Sequence, residues 1–396
     1  MESVSPETDS REMEVILSRQ DFRIGELLPW AVYDDKRILL LPEGTRITNG
    51  KQLDKLMANR PRRYVLIPPA PKPQKVKKQP PVRQSSFEIA DILLERLEIA
   101  YDALHNDQDN SFTRRIMHLV FDIQGLCEAD ADAMLGTMQL MHEAQHGLIH
   151  PLHAGILAEV ACTRMGKGPL DRFPLVAAAL THDMGMYEIQ EELYHQQTPL
   201  TIEQEHIIKS HSKRSYELLK KQGITEIRWL DPVLHHHERL DGSGYPDGLK
   251  GDQLTHETRL MAIVDCYSAM IRPRAYRSRV LPKEALKELF QARGSTIDAE
   301  LARVFVNVLG VFSPGSLVEL ENGSIAVVRN RTENLAAPDV TLLTDTQGAK
   351  LAKTRVISTE DPDNTIKGMI CPKLHCELFE NIDDIWSKLP PLSRLL

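Results

Sequence analysis

The sequence predicts a mainly α protein, with an all-helical central domain between a small N-terminal α/β unit and a small C-terminal β unit. Three observations carry this reading. From about residue 87 to 312 apolar side chains recur with a helical period, whereas before residue 67 short apolar runs alternate with turn residues. After Pro314-Gly315, short alternating runs are separated by Asn322-Gly323 and Gln347-Gly348. The organisation so predicted is 1–67 accessory unit, 68–86 linker, 87–312 helical domain and 313–396 terminal β unit and tail.

In chain order, Val32-Tyr33, Ile38 to Leu41 and Tyr64 to Ile67 predict strands, with the turn Pro42-Glu43-Gly44 and a helix near Gln52 to Ala58 between them. Pro68 to Ser86 alternates proline with Lys72, Lys75, Lys77, Lys78 and Arg83, a composition that favours an extended, solvated spacer. Ile116, Leu119, Val120 and Ile123 mark one helical face, and Leu152, Ile156, Leu157 and Val160 another. Thr201 with Gln204 reads as a capping box, and Gly223 suits the end of the helix that follows. Leu317 to Leu320, Ser324 to Val328 and Val340 to Leu343 predict the strands of the last unit.

Composition excludes several classes. With 396 residues, 42% hydrophobic and a net charge of −8, the chain can bury a large core and lacks the basic stripe of a duplex nucleic-acid binder. No run of about eighteen apolar residues predicts a membrane span, and Met1 to Arg19 lacks the apolar segment of a signal peptide. Five cysteines without disulfide spacing fit a reducing cytoplasm. Cys371 and Cys376 flank His375, which a zinc site and ordinary packing would both satisfy.

The chemistry-bearing residues are scattered in sequence. His182-Asp183 ends an alanine-rich apolar helix, and His211 lies on the apolar face of another. Alone, His211 fits a hydrogen-bonded core histidine as well as a ligand. Asp265 interrupts the run Leu260 to Val264, where a carboxylate needs a cation, an ion pair or a metal to offset its burial. His236-His237-Glu238 precedes Asp241-Gly242-Ser243-Gly244-Tyr245-Pro246, joining imidazoles to a rigid turn. Imidazole and carboxylate together are the ligand set of hydrolytic divalent-metal centres, and a carboxylate can bridge two ions.

These stretches, with Arg274-Ala275-Tyr276-Arg277, resemble the HD-GYP family of bacterial phosphodiesterases over about residues 140–310. The resemblance implies an all-helical HD-type core that hydrolyses cyclic di-GMP to pGpG, and further to GMP, at a binuclear or trinuclear centre of divalent transition metals, usually iron or manganese. It implies His182, Asp183, His211, His236, His237 and Asp265 as metal ligands, with Asp183 the bridge and His150 the next ligand. A carboxylate stands four residues before that histidine in trinuclear members, where this chain has His146. Arg274 and Arg277 match the positions expected to meet phosphate or guanine.

Departures from the family pattern define an alternative. The family usually follows His-Asp with a short step to Gly-Lys, but this chain reads Met184-Gly185-Met186, and Met186 cannot donate a charge-assisted hydrogen bond. Ser268 and Ala275 stand where the family often has Asp and Pro. The alternative is a catalytically weakened module that regulates by binding nucleotide or protein. The expected setting is cytoplasmic, with cyclic di-GMP as substrate, a GGDEF-type or other signalling protein as partner class, and a homodimer compatible with the sequence.

Overall fold

The computed structural model describes residues 11–67, 83–105, 111–141, 146–272, 280–379 and 382–392. The chain divides into two compact units, Met1–Lys78 and Gln79–Leu396. In the first, β1 (Arg11–Ile16), β2 (Val32–Tyr33), β3 (Leu39–Leu41) and β4 (Arg62–Ile67) form one sheet in the order β1-β4-β2-β3, with α1 (Gly50–Ala58) between β3 and β4. Asn49 caps α1 through Gln52, and Leu53 and Leu56 join Val32 and Ile47 in a small separate core. β1 was not predicted: Arg11, Glu12 and Glu14 make half of this short segment charged, and antiparallel pairing to β4 fixes it as a strand. Most of the basic stretch read as a linker lies outside the described residues, but Gln84 pairs with Leu389 and Ser85 caps the next helix, so its end is already ordered.

The second unit is mainly helical. Its helices are α2 (Ser86–Asp102), α3 (Ser111–Leu140), α4 (His146–Arg164), α5 (Pro169–Thr181), α6 (Tyr187–His195), α7 (Ile202–Lys221), α8 (Ile227–His235), α9 (His256–Met270), α10 (Pro282–Ala292) and α11 (Ala299–Leu309). α4 and α5 lie at its centre, where Leu152, Ile156, Leu157, Val176 and Leu180 are buried. The predicted capping box at Thr201 and Gln204 starts α7, and Gly223 follows its end at φ 79°. β5 (Leu317–Leu320), β6 (Ile325–Asn330), β7 (Asp339–Thr344), β8 (Lys350–Ser358) and β9 (Ile366–Met369) form a sheet in the order β8-β7-β6-β5-β9. β8 and β9 escaped the sequence reading. β8 sits at the sheet edge with mostly exposed side chains, so burial imposes little alternation on it. The sheet shares the helical core through Leu317, Val327 and Leu343.

Among the described residues no helix is long and apolar enough to cross a membrane.

Candidate metal centre

The ends of three helices and the interiors of two, α7 with His211 and α9 with Asp265, deliver the candidate ligands. His182 caps the C-terminus of α5, and Asp183 starts the short 3-10 turn Met184–Met186. That turn can press against α7 only because residue 185 is glycine: a Cβ there would stand 2.3 Å from the His211 carbonyl oxygen and 2.8 Å from the Ser215 nitrogen. Ser215 fastens the approach, accepting from the Gly185 N–H at 2.8 Å and donating to the His182 carbonyl at 2.6 Å. His236 caps α8, His150 lies in the second turn of α4, and Asp265 projects from within α9.

The loop after His237 is equally constrained. A Cβ on Gly244 would lie 2.4 Å from the Glu238 Cα and 2.5 Å from the His237 carbonyl oxygen, so the Gly244-Tyr245-Pro246 segment packs directly on the histidine turn. Tyr245-Pro246 is a cis peptide. Buried Glu238 accepts the N–H groups of Asp247 and Gly248 at 2.7 and 2.9 Å, pinning the loop's far end. The Tyr245 ring stacks over His237 with centroids 4.7 Å apart.

Two groups of donor atoms result, His150, His182 and Asp183 in one and His211, His236 and His237 in the other. Both carboxylates face both groups. Asp183 lies 3.5 Å from His182 Nε2, 3.6 Å from His150 Nε2 and 3.3 Å from His211 Nε2. Asp265 approaches His150 Nε2 at 3.0 Å and His182 Nε2 at 3.5 Å, while its other oxygen is 3.8 Å from His237 Nδ1.

The imidazole protons explain why these atoms suit a cation. His182, His211 and His236 each place Nδ1 against the backbone carbonyl three residues earlier, at 2.8, 2.5 and 2.9 Å. A carbonyl only accepts, so Nδ1 carries the proton and the Nε2 lone pair points inward. His150 is oriented by Ser268, whose hydroxyl donates to the Asp265 carbonyl at 3.0 Å and accepts from His150 Nδ1 at 3.2 Å. His211 and His236 then face each other Nε2 to Nε2 at 3.1 Å, and His150 and His182 at 3.3 Å. Lone pairs opposed at that distance repel, and a cation or proton between them converts the contact into attraction. The residues present therefore fit divalent metal.

Protonation preferences agree. Burial pushes the His236 pKa well below the usual imidazole range, helped by His237 and His182. Burial also lowers His237, to about 4, against the opposing Asp265 carboxylate. For His182, burial works downward but Asp183 and Asp265 outweigh it and raise the ring to about 9. Burial likewise opposes ionisation of Asp183 and Asp265, yet the surrounding imidazoles hold both well below the carboxylate range. The centre thus keeps two carboxylates anionic, with His236 and His237 as neutral imidazoles and His182 drawn toward its protonated form by the adjacent charge, a place a bound cation would take instead.

The predicted ligands His150, His182, Asp183, His211, His236, His237 and Asp265 all come together here. The His146 side chain, Arg274 and Arg277 lie outside the described residues. So does the Cys376 side chain; His375 Nδ1 faces Glu377 at 3.8 Å. Gln190 was missed: its amide donates to Asp183 Oδ2, the oxygen that faces His150, at 3.0 Å. It lies one turn beyond Met186 on α6, and no spacing rule singles it out. A cleft of about 460 Å³ opens beside the centre, lined by His237, Arg239, Tyr245, Asp265 and Glu288.

A family model described as HD domain matches residues 112–301. The match covers just under half of the chain. The His182-Asp183 pair and the Gly244-Tyr245-Pro246 loop on the second histidine pair, which carry the resemblance read from the sequence, both fall within those residues. Among curated relatives, a cyclic di-GMP phosphodiesterase of Pseudomonas aeruginosa is 25% identical over 82% of this chain and 78% of its own length. A cyclic di-GMP phosphodiesterase response regulator of Xanthomonas campestris pv. campestris is 33% identical over 37% of this chain and 38% of the relative. A 3'3'-cGAMP-specific phosphodiesterase of Vibrio cholerae is 30% identical over 41% of this chain and 37% of the relative. The match to the Pseudomonas protein, over 333 residues, is longer than the stretch the HD-domain model covers.

Proposed function

We propose that this HD-domain protein is a metal-dependent phosphodiesterase that hydrolyses cyclic di-GMP to pGpG, and pGpG further to GMP, in the cytoplasm. The observation that carries the reading is the pair of inward-facing Nε2 contacts spanned by Asp183 and Asp265 beside an open cleft. Relatives named as cyclic di-GMP phosphodiesterases support the substrate.

His150, His182, His211, His236, His237, Asp183 and Asp265 would hold two or three divalent ions, iron or manganese. Such ions supply Lewis acidity, lowering the pKa of a water and neutralising the phosphodiester. The chain's own part is positional. Backbone carbonyls and Ser268 keep the protons at Nδ1, so that Nε2 stays available. Gln190 and the imidazoles fix the rotamer of Asp183, which would be among the residues holding the ions. Tyr245 and His237 form an aromatic wall of the cleft against which a base can stack. Arg274 and Arg277 are assigned to neutralising charge on the phosphate as the P–O bond breaks.

Met186 favours a second reading, a weakened module that binds nucleotide or protein, because no ammonium follows the His-Asp pair. One experiment separates the two. Anaerobically metal-loaded protein is incubated with cyclic di-GMP or with 3'3'-cGAMP, and products are followed by chromatography for wild type and Met186→Lys. Conversion of cyclic di-GMP to pGpG by wild type is expected. Met186→Lys should be roughly tenfold to a hundredfold faster, the value of a charge-assisted hydrogen bond of about 1.5–3 kcal/mol. Inert protein in both forms despite full metal loading assigns the chain to the binding module, and faster cleavage of 3'3'-cGAMP corrects the substrate.

A further inference from the structure

The cleft beside the metal centre encloses about 460 Å³, within the roughly 300–1,000 Å³ usual for small-molecule sites, and its walls carry polar groups that metal binding does not use. One wall comes from α10, where Glu288 and Ala292 stand one helical turn apart and Leu289 lies beside them. Buried Leu289 anchors that face of α10 to the helical core.

Of the carboxylates lining this cleft, Asp265 is turned onto His150, His182 and His237. Glu238 is 3% exposed and accepts the N–H groups of Asp247 and Gly248. Glu288 is exposed and makes no hydrogen bond or ion pair among the described residues, so it is the one open to a ligand. Arg239, the guanidinium of the lining, is also exposed and makes no ion pair among the described residues. An acceptor and a donor of opposite charge thus share a cleft without closing on each other, beside the aromatic wall formed by Tyr245 on His237. Divalent ions at the centre would more than offset Asp265 and Glu238, so the lining does not repel an anionic substrate.

These two side chains differ in what they can discriminate. Arg239 suits a phosphate or the O6 and N7 acceptors of guanine, and so serves several substrates. An ionised carboxylate only accepts. Guanine carries N1–H and an amino group side by side on one edge, two donors for the two oxygens of Glu288. Adenine sets a lone pair beside its amino group and opposes the carboxylate. Resting on the phosphodiesterase reading, we propose that Glu288 selects guanine over adenine in the cyclic dinucleotide, by accepting the N1–H and amino donors of a base held in the cleft.

Glutamine at this position supplies the converse. Its amide sets one acceptor beside one donor at almost unchanged size, which complements the edge of adenine and fails the edge of guanine. A carboxylate that merely solvates the surface of α10 would leave base preference untouched when replaced. Glu288 also stands outside both groups of inward donor atoms, so its replacement leaves the metal ligands in place.

Full-length, metal-loaded protein given cyclic di-GMP or cyclic di-AMP tests the proposal, with affinity read as KM where the protein turns over and as Kd by isothermal titration where it does not. Wild type should prefer cyclic di-GMP by at least about tenfold. Glu288→Gln should narrow that preference by about fivefold or more, weakening cyclic di-GMP and strengthening cyclic di-AMP. Glu288→Ala should weaken cyclic di-GMP without the gain for cyclic di-AMP, and both variants should hold as much metal as wild type. No binding of either dinucleotide, equal affinity of wild type for the two, or an unchanged preference in Glu288→Gln overturns the assignment. Protein that binds in the expected pattern without hydrolysing refutes the activity alone.

Discussion

His235 and His236 are neighbours at the end of α8, both buried, at 8% and 2% exposure, yet they belong to different chemical regions. His235 spends both ring nitrogens on carboxylates, Nδ1 on Asp231 at 2.8 Å and Nε2 on Asp247 at 3.0 Å. Asp231 is held in turn by the hydroxyls of Thr255 and Thr258, each at 2.7 Å. This closed network ties α8 to the start of α9 and to the loop beyond Tyr245-Pro246. His236 instead gives Nδ1 to a backbone carbonyl and turns Nε2 toward another imidazole. The charge preferences part accordingly. Burial lowers both rings, but at His235 the hydrogen bonds it donates to Asp231 and Asp247 prevail and raise it, whereas His236 stays far below the usual range. What marks a metal-type histidine here is an unspent nitrogen aimed at other unspent nitrogens, not burial or sequence context.

Substituting each in turn gives the largest contrast. His236→Ala should lose bound metal and cut hydrolysis by about a thousandfold, some 4 kcal/mol of transition-state stabilisation. His235→Ala should keep its metal and much of its activity but lose about 1–3 kcal/mol of folding stability, since Asp231 and Asp247 are left short of a partner. Metal analysis, turnover and denaturant unfolding read the two variants. Equal metal loss in both would erase the distinction.

A smaller effect is expected from the residue that orients a ligand without touching the centre. Ser268→Ala removes the acceptor for His150 Nδ1 and frees the ring to take the other tautomer. Metal affinity or activity should fall about tenfold to a hundredfold, with the fold unchanged. Ser268→Asp, which restores an acceptor, should recover it. Wild-type metal affinity in Ser268→Ala would mean that Asp265 alone positions His150.

The smallest effect belongs to the closed network and depends on pH. Burial pushes the Asp231 pKa upward, but hydrogen bonds from His235, Thr258 and Thr255 outweigh it and hold the carboxyl below its ordinary 3.8. A depressed folded value adds stability that is present in full above 3.8 and is lost as pH falls through the folded value. The melting-temperature gap between metal-free wild type and Asp231→Asn should be full near neutral pH and narrow in acid below 3.8. A gap that widens in acid would show that Asp231 is not the ionised partner.

The same contrast explains what the sequence made legible. His182-Asp183, His211, His236-His237 and Asp265 were readable because a motif of fixed order preserves the ligands even though the fold alone joins them. The helices were readable from apolar periodicity, as with Leu152, Ile156, Leu157 and Val160 on α4. The supporting atoms were not. Gln190, Ser215 and the Ser268 hydroxyl act through distances set by helix packing, and serine or glutamine on a helix has no distinguishing pattern. β8 was missed because an exposed edge strand carries little hydrophobic alternation, and β1 because its alternation spans only a few residues beside charged ones.

Metal content tests the central account most directly. Full-length protein purified anaerobically and measured by inductively coupled plasma mass spectrometry should carry about two or three transition-metal ions per chain, because seven inward donors exceed what one tetrahedral ion accepts. The content should fall in His236→Ala and hold in His235→Ala. Less than about one ion per chain in wild type after anaerobic loading with iron or manganese would contradict the account, since the opposed Nε2 atoms would then have to be held together by protons alone.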